Sequence, residues 1–436
     1  MNLVLLIMMC GLALIAYYMS HKNVFSPGVI ICAVFIMSSF FVVMNGDNWE
    51  YSVSFDALIY LVTAVLITLI GIHAGTRVAI STGKPRKNNN LNAQNGYIDI
   101  SLNWMIVLSI ISIVVIYLYF RNQLMTSIAL GNESGIAGMI FTLRRHVYED
   151  ETFQLGVLLN VGISFLRSIG YVSTFLFINK IVLYKKIEWK YVVPIIVLVF
   201  YNILSTGRGG FIGFVCAILY DFYFSYKKTG KIIKPGKTIK YIVIGFIVFI
   251  VLFWQLGKLT GKDEVLSFWD TLSVYIGSSI LCFDAVLSGV NSFNFIGIYT
   301  FKGLYNILAR LGLDVTTLSN HADKIRWNGY SSNVFTAFHP YYSDYGPIVS
   351  LLIVMLAGSI IGILWRKFQD ESDNLTIGIL YGRFVASATA MYSIAERLLS
   401  NTLALNAIVE IVFTIVIIRI CIKVRRGDIS SLTMMK

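Results

Sequence analysis

A short segment of this sequence combines one arginine with two glycines in a way that suits the binding of an anion. Arg208, Gly209 and Gly210 stand between two long apolar runs, where an uncompensated cation is costly. A guanidinium stays charged and binds phosphate oxygens in pairs, and glycines allow a ligand to approach the backbone. The apolar helix predicted to begin near Gly209 would add unpaired N–H groups and its positive dipole end. A glycine turn whose arginine reaches the membrane interface explains the same pattern equally well.

A second segment, 333–347, brings acid–base groups and aromatic rings to the start of an apolar run. His339 titrates near neutral pH and can accept a proton from a hydroxyl group. Asp344 can orient that histidine, or it can cap the helix that follows. Tyr341 and Tyr342 are candidate substrate contacts, although an aromatic belt at a membrane boundary has the same composition.

Arginines at three further places favour contact with an anionic ligand. Arg144 and Arg145 are adjacent in the first long polar segment, where a solvated charge cluster is the competing interpretation. Arg310 lies in the second long polar segment and suits either a phosphate or lipid headgroups. Arg397 follows Glu396 at the end of an apolar run, so it either forms a local ion pair or joins the arginine–glycine segment.

Three charged residues fall deep inside apolar runs, namely Arg167, Arg383 and Glu410. Charged side chains within a membrane usually face the protein interior and pair with one another. We therefore expect these three side chains to form a buried ionic network.

The composition is typical of a polytopic membrane protein. The chain has 436 residues, of which 57% are hydrophobic and 13% charged, and its mean hydropathy is +0.74. Its apolar runs of about 20 residues are each long enough to cross a bilayer as a helix. We predict an all-α fold of about eleven transmembrane helices in a single integral membrane domain, residues 1–436. The predicted spans are 2–20, 28–44, 55–78, 103–120, 155–178, 191–206, 209–226, 241–257, 342–364, 375–397 and 403–422.

Basic residues predict the orientation of these spans. Alternate crossings put five basic segments on one side, where Lys and Arg are about twice as frequent as on the other, which marks the cytoplasmic side. The N-terminus is then outside and the C-terminus cytoplasmic. Two long outer segments result, 121–153 and the large extracytoplasmic loop 258–341. We predict that the apolar stretch 266–290 in this loop forms a re-entrant or interfacial helix pair.

Several other chemistries find no support in the sequence. The net charge of +12 includes the loop from Lys227 to Lys240, which lacks aromatic residues and is typical of a cytoplasmic loop, so no nucleic-acid partner is expected. The five cysteines lie in apolar runs at no metal-like spacing. Walker, Rossmann and zinc-protease motifs are absent. We expect neither a metal nor a cofactor, so the energy for bond formation would come from an activated substrate.

The order of these features resembles the Wzy-type polysaccharide repeat-unit polymerases of bacteria, which are related to the O-antigen ligases. The resemblance rests on the many spans, the single very long outer loop, the segment 204–210 and the segment 339–346. It implies a GT-C-like enzyme of the bacterial cytoplasmic membrane that works without a divalent metal. Such enzymes transfer a growing O-antigen or capsular glycan from undecaprenyl diphosphate to the sugar terminus of an incoming lipid-linked repeat unit. Membrane lipids, a chain-length regulator and a flippase would be further partners.

The resemblance also implies roles for individual residues. Arg208 would bind the departing diphosphate. Arg310 and Arg397 are further candidate phosphate ligands because they are predicted on the same outer side of the membrane, and not because they match a family motif. His339 would be the base for the acceptor hydroxyl, and Asp344 the substitute base. Two other functions stay open, a ligase that moves finished glycan to a different acceptor and a flippase for lipid-linked oligosaccharide. The absence of a detectable internal repeat disfavours the flippase.

Overall fold

Long apolar helices make up most of the described structure. A computed structural model describes residues 1–82, 97–131, 138–139, 142, 156–205, 208–229, 267–289, 296–318, 324–370, 375–400 and 402–425, without the side chains of 80–82, 97–98, 208 and 423–425. Within these ranges, eight helices are long and apolar enough to cross a membrane, as expected for a multi-pass membrane protein. The helices are α1 (Asn2–Met19), α2 (Pro27–Trp49), α3 (Phe55–Thr82), α4 (Leu102–Ala129), α5 (Val157–Tyr184), α6 (Val192–Leu204), α7 (Arg208–Lys228), α8 (Phe268–Gly289), α9 (Lys302–Arg310), α10 (His339–Asp370), α11 (Leu375–Ala390) and α12 (Leu405–Cys421). The strands are β1 (Tyr97–Ile100), β2 (Ile325–Trp327), β3 (Tyr330–Ser332) and β4 (Ile422–Arg425).

The predicted spans can be compared directly with these helices. Ten of the eleven coincide with α1 to α7 and α10 to α12, and the span 241–257 lies outside the described residues. The helices α6, α11 and α12 are shorter than the roughly 20 residues that cross a bilayer unaided. The multi-pass α-helical class is confirmed, and the total of eleven crossings stays a prediction.

Contacts between helices and loops define two ends of the bundle. At the end that we name the N-terminal face, the Asn2 side chain donates from Nδ2 to the Tyr51 carbonyl oxygen at 3.0 Å. At the opposite end, which we name the lysine-rich face, Asn23 Nδ2 donates to the Tyr223 hydroxyl at 3.0 Å and Gln369 Nε2 donates to it at 3.1 Å. Each helix can therefore be assigned a direction relative to these two faces.

The contact registers show which helices run in the same direction. Ser164 on α5 donates to the Asn406 carbonyl on α12 at 3.1 Å, and Ser168 donates to the Glu410 carbonyl at 2.8 Å. Because both pairs advance together, α5 and α12 are parallel. By the same reasoning, α1, α3, α5, α7, α10 and α12 run from the N-terminal face to the lysine-rich face, and α2, α4, α6 and α11 return. This alternation agrees with the predicted order of crossings for these ten spans.

An ion-pair cluster joins several segments at the lysine-rich face. The Lys190 Nζ lies 2.7 Å from Asp99 Oδ1 and 3.2 Å from Glu188 Oε2. The Tyr191 hydroxyl donates to Asp99 at 2.5 Å. Asp99 belongs to β1, which pairs antiparallel with β4. The start of α4 is thereby held against the end of α12.

Helices α3 and α10 form a parallel pair in unusually close contact. Tyr60 and Ser350 are hydrogen-bonded at 2.6 Å near one end, and Thr76 Oγ1 donates to the Gly362 carbonyl at 3.4 Å near the other. A Cβ on Gly358 would lie 2.6 Å from the Thr68 carbonyl oxygen. Small residues permit this approach of two backbones, as in other membrane helix pairs.

Helix α8 packs along the second half of α2 and reaches the N-terminal face near its own end. Near its start, the Trp269 ring packs on Phe41 with centroids 5.3 Å apart, and near its end Asp284 accepts a hydrogen bond from the Tyr51 hydroxyl at 2.6 Å. The prediction of a helix pair within 266–290 is wrong, because the described chain forms one uninterrupted helix of 22 residues. The buried carboxylate of Asp284 within this helix is satisfied by hydrogen bonds.

A small hairpin completes the N-terminal face next to α8. Strands β2 and β3 pair antiparallel, and Trp327 packs edge-on against Trp49 with ring centroids 5.9 Å apart. Ser278 of α8 donates to Ser332 Oγ at 2.8 Å. The hairpin therefore fixes the chain just before the segment that contains His339.

The α3–α10 contact gives a stability prediction. Gly75→Ala would force a Cβ into the backbone of Ser359, so we expect a loss of about 1–3 kcal/mol in the free energy of unfolding, as for other overpacked cores. The measurement is the midpoint of thermal unfolding of the purified protein in detergent. Gly11→Ala is the matched control, since a Cβ there meets no atom within 4 Å. Equal midpoints for the two variants would contradict the described packing.

Candidate anion-binding site

The first turn of α7 is the centre of the candidate site. α6 ends at Leu204 and α7 begins at Arg208, at the N-terminal face. The Arg208 side chain lies outside the described residues. The first N–H groups of a helix have no partners within it, and the positive end of the α7 dipole points toward this face. The helix start predicted near Gly209 is thus confirmed.

Arg397 occupies the space that Gly209 leaves free. Its Nη1 donates to the Gly209 carbonyl oxygen at 3.5 Å, and a Cβ on Gly209 would overlap the guanidinium. The sequence predicts that a ligand approaches the backbone here, whereas a side chain of the protein fills this space. Of the two interpretations of Arg397, the structure supports its association with the arginine–glycine segment.

Glu396 shapes the turn that presents Arg397. Its Oε1 accepts hydrogen bonds from the Tyr341 hydroxyl at 3.0 Å and from Leu398 N at 2.8 Å. Its Oε2 accepts one from Ser400 N at 2.8 Å. In the described structure, Glu396 therefore caps a turn and forms no direct salt bridge with Arg397, which was one of the two interpretations of that arginine.

The predicted span 375–397 ends earlier than its composition suggests. α11 ends at Ala390, and the chain then continues without a regular helix through Arg397. The Tyr392 carbonyl accepts a hydrogen bond from Ala337 N at 2.9 Å. Tertiary hydrogen bonds of this kind override the helix propensity of the segment. The prediction that Arg397 closes a helix is therefore wrong.

A shared carboxylate joins two arginines below this turn. The Arg383 Nε donates to Glu410 Oε1 at 2.6 Å, and its Nη2 donates to Oε2 at 3.3 Å. The Arg167 Nη2 lies 3.1 Å from Glu410 Oε2. Glu410 is only 1% exposed, so α5, α11 and α12 meet at one buried ionic network. The predicted pairing of these three charged residues is confirmed.

Arg383 packs against α7 one turn deeper than the first turn. A Cβ on Gly213 would lie 3.7 Å from its Nη1, and Gly213 follows Gly209 at the four-residue spacing of one helix face. The guanidinium also lies over the Tyr171 ring, 4.7 Å from the centroid, which is a cation–π contact. Arg383 belongs to the π-helical segment Tyr381–Ala386 within α11, a geometry that is frequent at functional sites.

The site holds more positive than negative charge. Three guanidinium groups, those of Arg167, Arg383 and Arg397, face two carboxylates: Glu410 pairs with Arg167 and Arg383, and the charge of Glu396 acts on Arg397. Burial lowers the pKa of Arg397 and the charge of Arg167 lowers it further, yet an arginine stays protonated in proteins. Unbalanced buried charge is costly, so an anion that entered here would be stabilised.

The predicted base, His339, lies between two aromatic rings at the start of α10. Its ring stacks on Phe335 with centroids 4.3 Å apart and meets Tyr299 edge-on at 5.7 Å. Gly346 adopts a φ of 72°, a conformation that favours glycine, and Pro347 follows it. The resulting break places His339 on a short helical segment of its own.

The two predicted tyrosine contacts are packed inside the protein. Tyr341 is fully buried, and its hydrogen bond to Glu396 connects the histidine segment to the Arg397 turn. Tyr342 meets the Tyr60 ring edge-on at 5.2 Å. Tyr341 therefore holds two parts of the site together, and Tyr342 belongs to the aromatic core beside α3.

Asp344 is engaged by the backbone of a loop. One carboxylate oxygen accepts a hydrogen bond from Tyr299 N at 3.1 Å, and the other accepts one from Thr300 N at 2.7 Å. These bonds anchor the loop that precedes α9 to the first turns of α10. The described contacts favour an anchoring role over the predicted role as a base.

Arg310 lies at a cavity between α9 and the start of α12. The cavity has a volume of ≈ 150 Å³, and Asn406 is among its lining residues. Asn406 precedes Glu410 by one helical turn, so the cavity and the ionic network occupy the same end of the bundle. Arg144 and Arg145 lie outside the described residues.

Two contributors to the site were not predicted, Gly213 and Tyr171. Gly213 could have been predicted from the sequence, because its four-residue spacing from Gly209 puts both glycines on one face of a helix. Tyr171 gives no local signal, because its ring meets Arg383 only in the folded chain.

The fold and site together define a multi-pass α-helical membrane protein with an arginine-rich cluster buried at one end. Among the described residues, no group of three or more His, Cys, Asp or Glu side chains is placed to hold a metal ion. Comparison of the chain with protein families, curated proteins and solved structures gives no match.

The shared carboxylate gives a second stability prediction. Glu410→Gln would leave Arg167 and Arg383 without a neutralising partner, so we expect the free energy of unfolding to fall by about 3–5 kcal/mol, as when one partner of a buried ion pair is removed. Thermal unfolding in detergent measures the change. Asp314→Asn, at an exposed carboxylate, is the control and should leave the midpoint unchanged. An unaltered midpoint for Glu410→Gln would refute the described network.

Proposed function

We propose that this chain is a glycosyltransferase that polymerises lipid-linked oligosaccharide repeat units. The observation that carries the proposal is the excess of guanidinium charge around the first turns of α7. Arg397 contacts Gly209 there, while Arg167 and Arg383 share one carboxylate. Several charged oxygens on one ligand suit such a cluster, and a diphosphate presents them. The family resemblance then indicates undecaprenyl diphosphate as the carrier and a growing glycan as the group transferred.

The orientation of the bundle is part of the proposal. Lys180, Lys190 and Lys227 lie at the lysine-rich face, and an excess of basic residues is typical of the cytoplasmic side. The N-terminal face would then be extracytoplasmic, with the arginine cluster accessible from that side of the bacterial cytoplasmic membrane. A GT-C-like arrangement of about eleven spans belongs to the same proposal.

In the proposed reaction, a hydroxyl group of the incoming repeat unit attacks the anomeric carbon of the donor sugar. The bond from that carbon to the phosphate oxygen breaks, and its electron pair leaves with undecaprenyl diphosphate. Arg208 and Arg397 stabilise the charge that develops on the leaving group. The proton of the attacking hydroxyl passes to His339. Because the sugar–phosphate bond is already activated, no nucleotide is consumed.

The ligase is the second candidate function, and the position of His339 is the observation that favours it. In the ligases that the sequence resembles, a histidine lies near this junction between loop and span, whereas polymerases often lack it. A deletion strain separates the possibilities. Exported single repeats support the polymerase, full-length polymer on the prenyl carrier supports the ligase, and intermediates trapped in the cytoplasm support a flippase.

Loss of either candidate phosphate ligand should slow polymerisation strongly. We expect Arg208→Ala and Arg397→Ala to lower the rate by about 10²–10³-fold, the usual effect of removing one group that stabilises a developing anion. Gel profiles of polysaccharide from a complemented deletion strain should then show single repeats, at membrane protein levels equal to wild type. Arg326→Ala, at an exposed arginine of β2, is the control. Normal polymer length in both variants would refute the proposed site.

The proposed orientation predicts which face reacts with an impermeant thiol reagent. In a variant without the five native cysteines, Leu313→Cys at the N-terminal face should be labelled in intact spheroplasts. Lys186→Cys at the lysine-rich face should be labelled only after permeabilisation. Both positions are exposed, so accessibility depends on the side of the membrane. The reverse pattern would invert the topology and remove the arginine cluster from the outer side.

A further inference from the structure

Asn202 is a buried polar side chain whose hydrogen-bonding capacity is not used within the described structure. It lies in the last turn of α6 and is 7% exposed, and its Nδ2 has no hydrogen-bond partner. Its backbone is held in place, because the Asn202 carbonyl accepts a hydrogen bond from Ser205 Oγ at 3.1 Å. A buried donor without a partner has lost its hydrogen bonds to water and has gained none within the protein, which is unfavourable. The position of Asn202 therefore requires an explanation.

Two other buried asparagines use the same amide group. Asn45 Nδ2 donates to the Phe41 carbonyl oxygen at 2.8 Å, and Asn179 Nδ2 donates to Ser225 Oγ at 3.4 Å. Burial of an asparagine in this bundle is thus compatible with a partner for its amide donor. The amide donor of Asn202 therefore lacks a partner because of its position in the fold, and not because it is buried.

That place is the first turn of α7. A Cβ on Gly210 would lie 2.9 Å from Asn202 Oδ1, so the glycine allows the amide to reach the helix. The adjacent Gly209 receives the Arg397 guanidinium. An amide, a guanidinium and the unpaired N–H groups of a helix start therefore converge on one helical turn.

We propose that Asn202 donates a hydrogen bond to a non-bridging oxygen of the diphosphate bound at the start of α7. This inference rests on the proposed function and adds a neutral, positioned donor to the charged groups. The χ2 torsion of an asparagine is soft, so Nδ2 can turn toward Gly210 when the anion arrives. The arginines attract the anion, and the amide fixes its orientation.

Binding measurements on the purified full chain in detergent test this role. Asn202→Asp keeps the shape of the side chain but replaces the amide donor with a negative charge. We expect its affinity for undecaprenyl diphosphate to fall at least about tenfold, the scale of a lost charge-assisted hydrogen bond. Affinity for undecaprenol, which has the same tail without phosphate, should stay the same. A merely structural role for Asn202 would weaken the binding of both lipids and would overturn the proposal.

Binding of inorganic pyrophosphate shows whether the site recognises the diphosphate group itself or only its lipid-linked form. Parallel weakening for pyrophosphate assigns the site to the diphosphate group itself. Weakening for the lipid alone assigns it to the lipid-linked form. Asn179→Asp is the matched control, since it buries a carboxylate near the lysine-rich face. Asn179 contacts Ser225 of α7, which lies about 22 Å from Gly210 along that helix at 1.5 Å per residue. Its affinity for undecaprenyl diphosphate should stay within about twofold of wild type, because it lies far from the bound anion.

The outcomes separate this inference from the proposed function. Unchanged affinity in Asn202→Asp and Asn202→Ala, with weakened binding in Arg397→Ala, would overturn the role of Asn202 and leave the proposed function standing. Failure of the wild-type protein to bind undecaprenyl diphosphate would overturn both. Asn202→Ala also provides the second variant if the aspartate variant does not fold.

Discussion

A single buried carboxylate organises the end of the bundle that contains the candidate site. Glu410 accepts hydrogen bonds from Arg383 and forms an ion pair with Arg167, so helices that are far apart in sequence are joined by charge. Two guanidinium groups can be buried here because one negative charge is shared between them. The third guanidinium group, that of Arg397, is held by its contact with the Gly209 carbonyl oxygen, and its charge is not neutralised to the same degree. That imbalance is the reason to regard this place as a binding site.

Hydropathy predicted most of the helices, because the membrane leaves few alternatives to a helix of sufficient length. The direction of each described span also followed from the alternation of basic segments. The buried ionic network was predictable from the rule that charges within a membrane pair. The early end of α11 was not, because the cap that Glu396 supplies depends on Tyr341 and on backbone groups that local propensity does not reveal. The continuity of α8 was not predicted either, and its hydrogen bond from Tyr51 to Asp284 joins residues more than two hundred positions apart.

The site itself was only partly predictable. The arginine–glycine segment was identified as an anion site, but the space beside Gly209 was assigned to a ligand and contains Arg397. The two residues are 188 positions apart, so no local pattern could pair them. The anchoring role of Asp344 was not predictable for the same reason, since its partners Tyr299 and Thr300 precede it by more than forty positions. A sequence identifies which residue types can do chemistry, and the fold decides which of them are already occupied.

The parallel pairing of α3 and α10 affects how the protein is made. Tyr60 and Ser350 touch in the finished bundle, although 290 positions separate them. At about 5–20 residues per second, the ribosome completes α10 roughly 15–60 s after α3. During that interval, the glycine-lined side of α3 has no permanent neighbour and must be sheltered by lipid or by the insertion machinery. α3 is therefore synthesised well before its partner, and this helix contact can form only after α10 has been made.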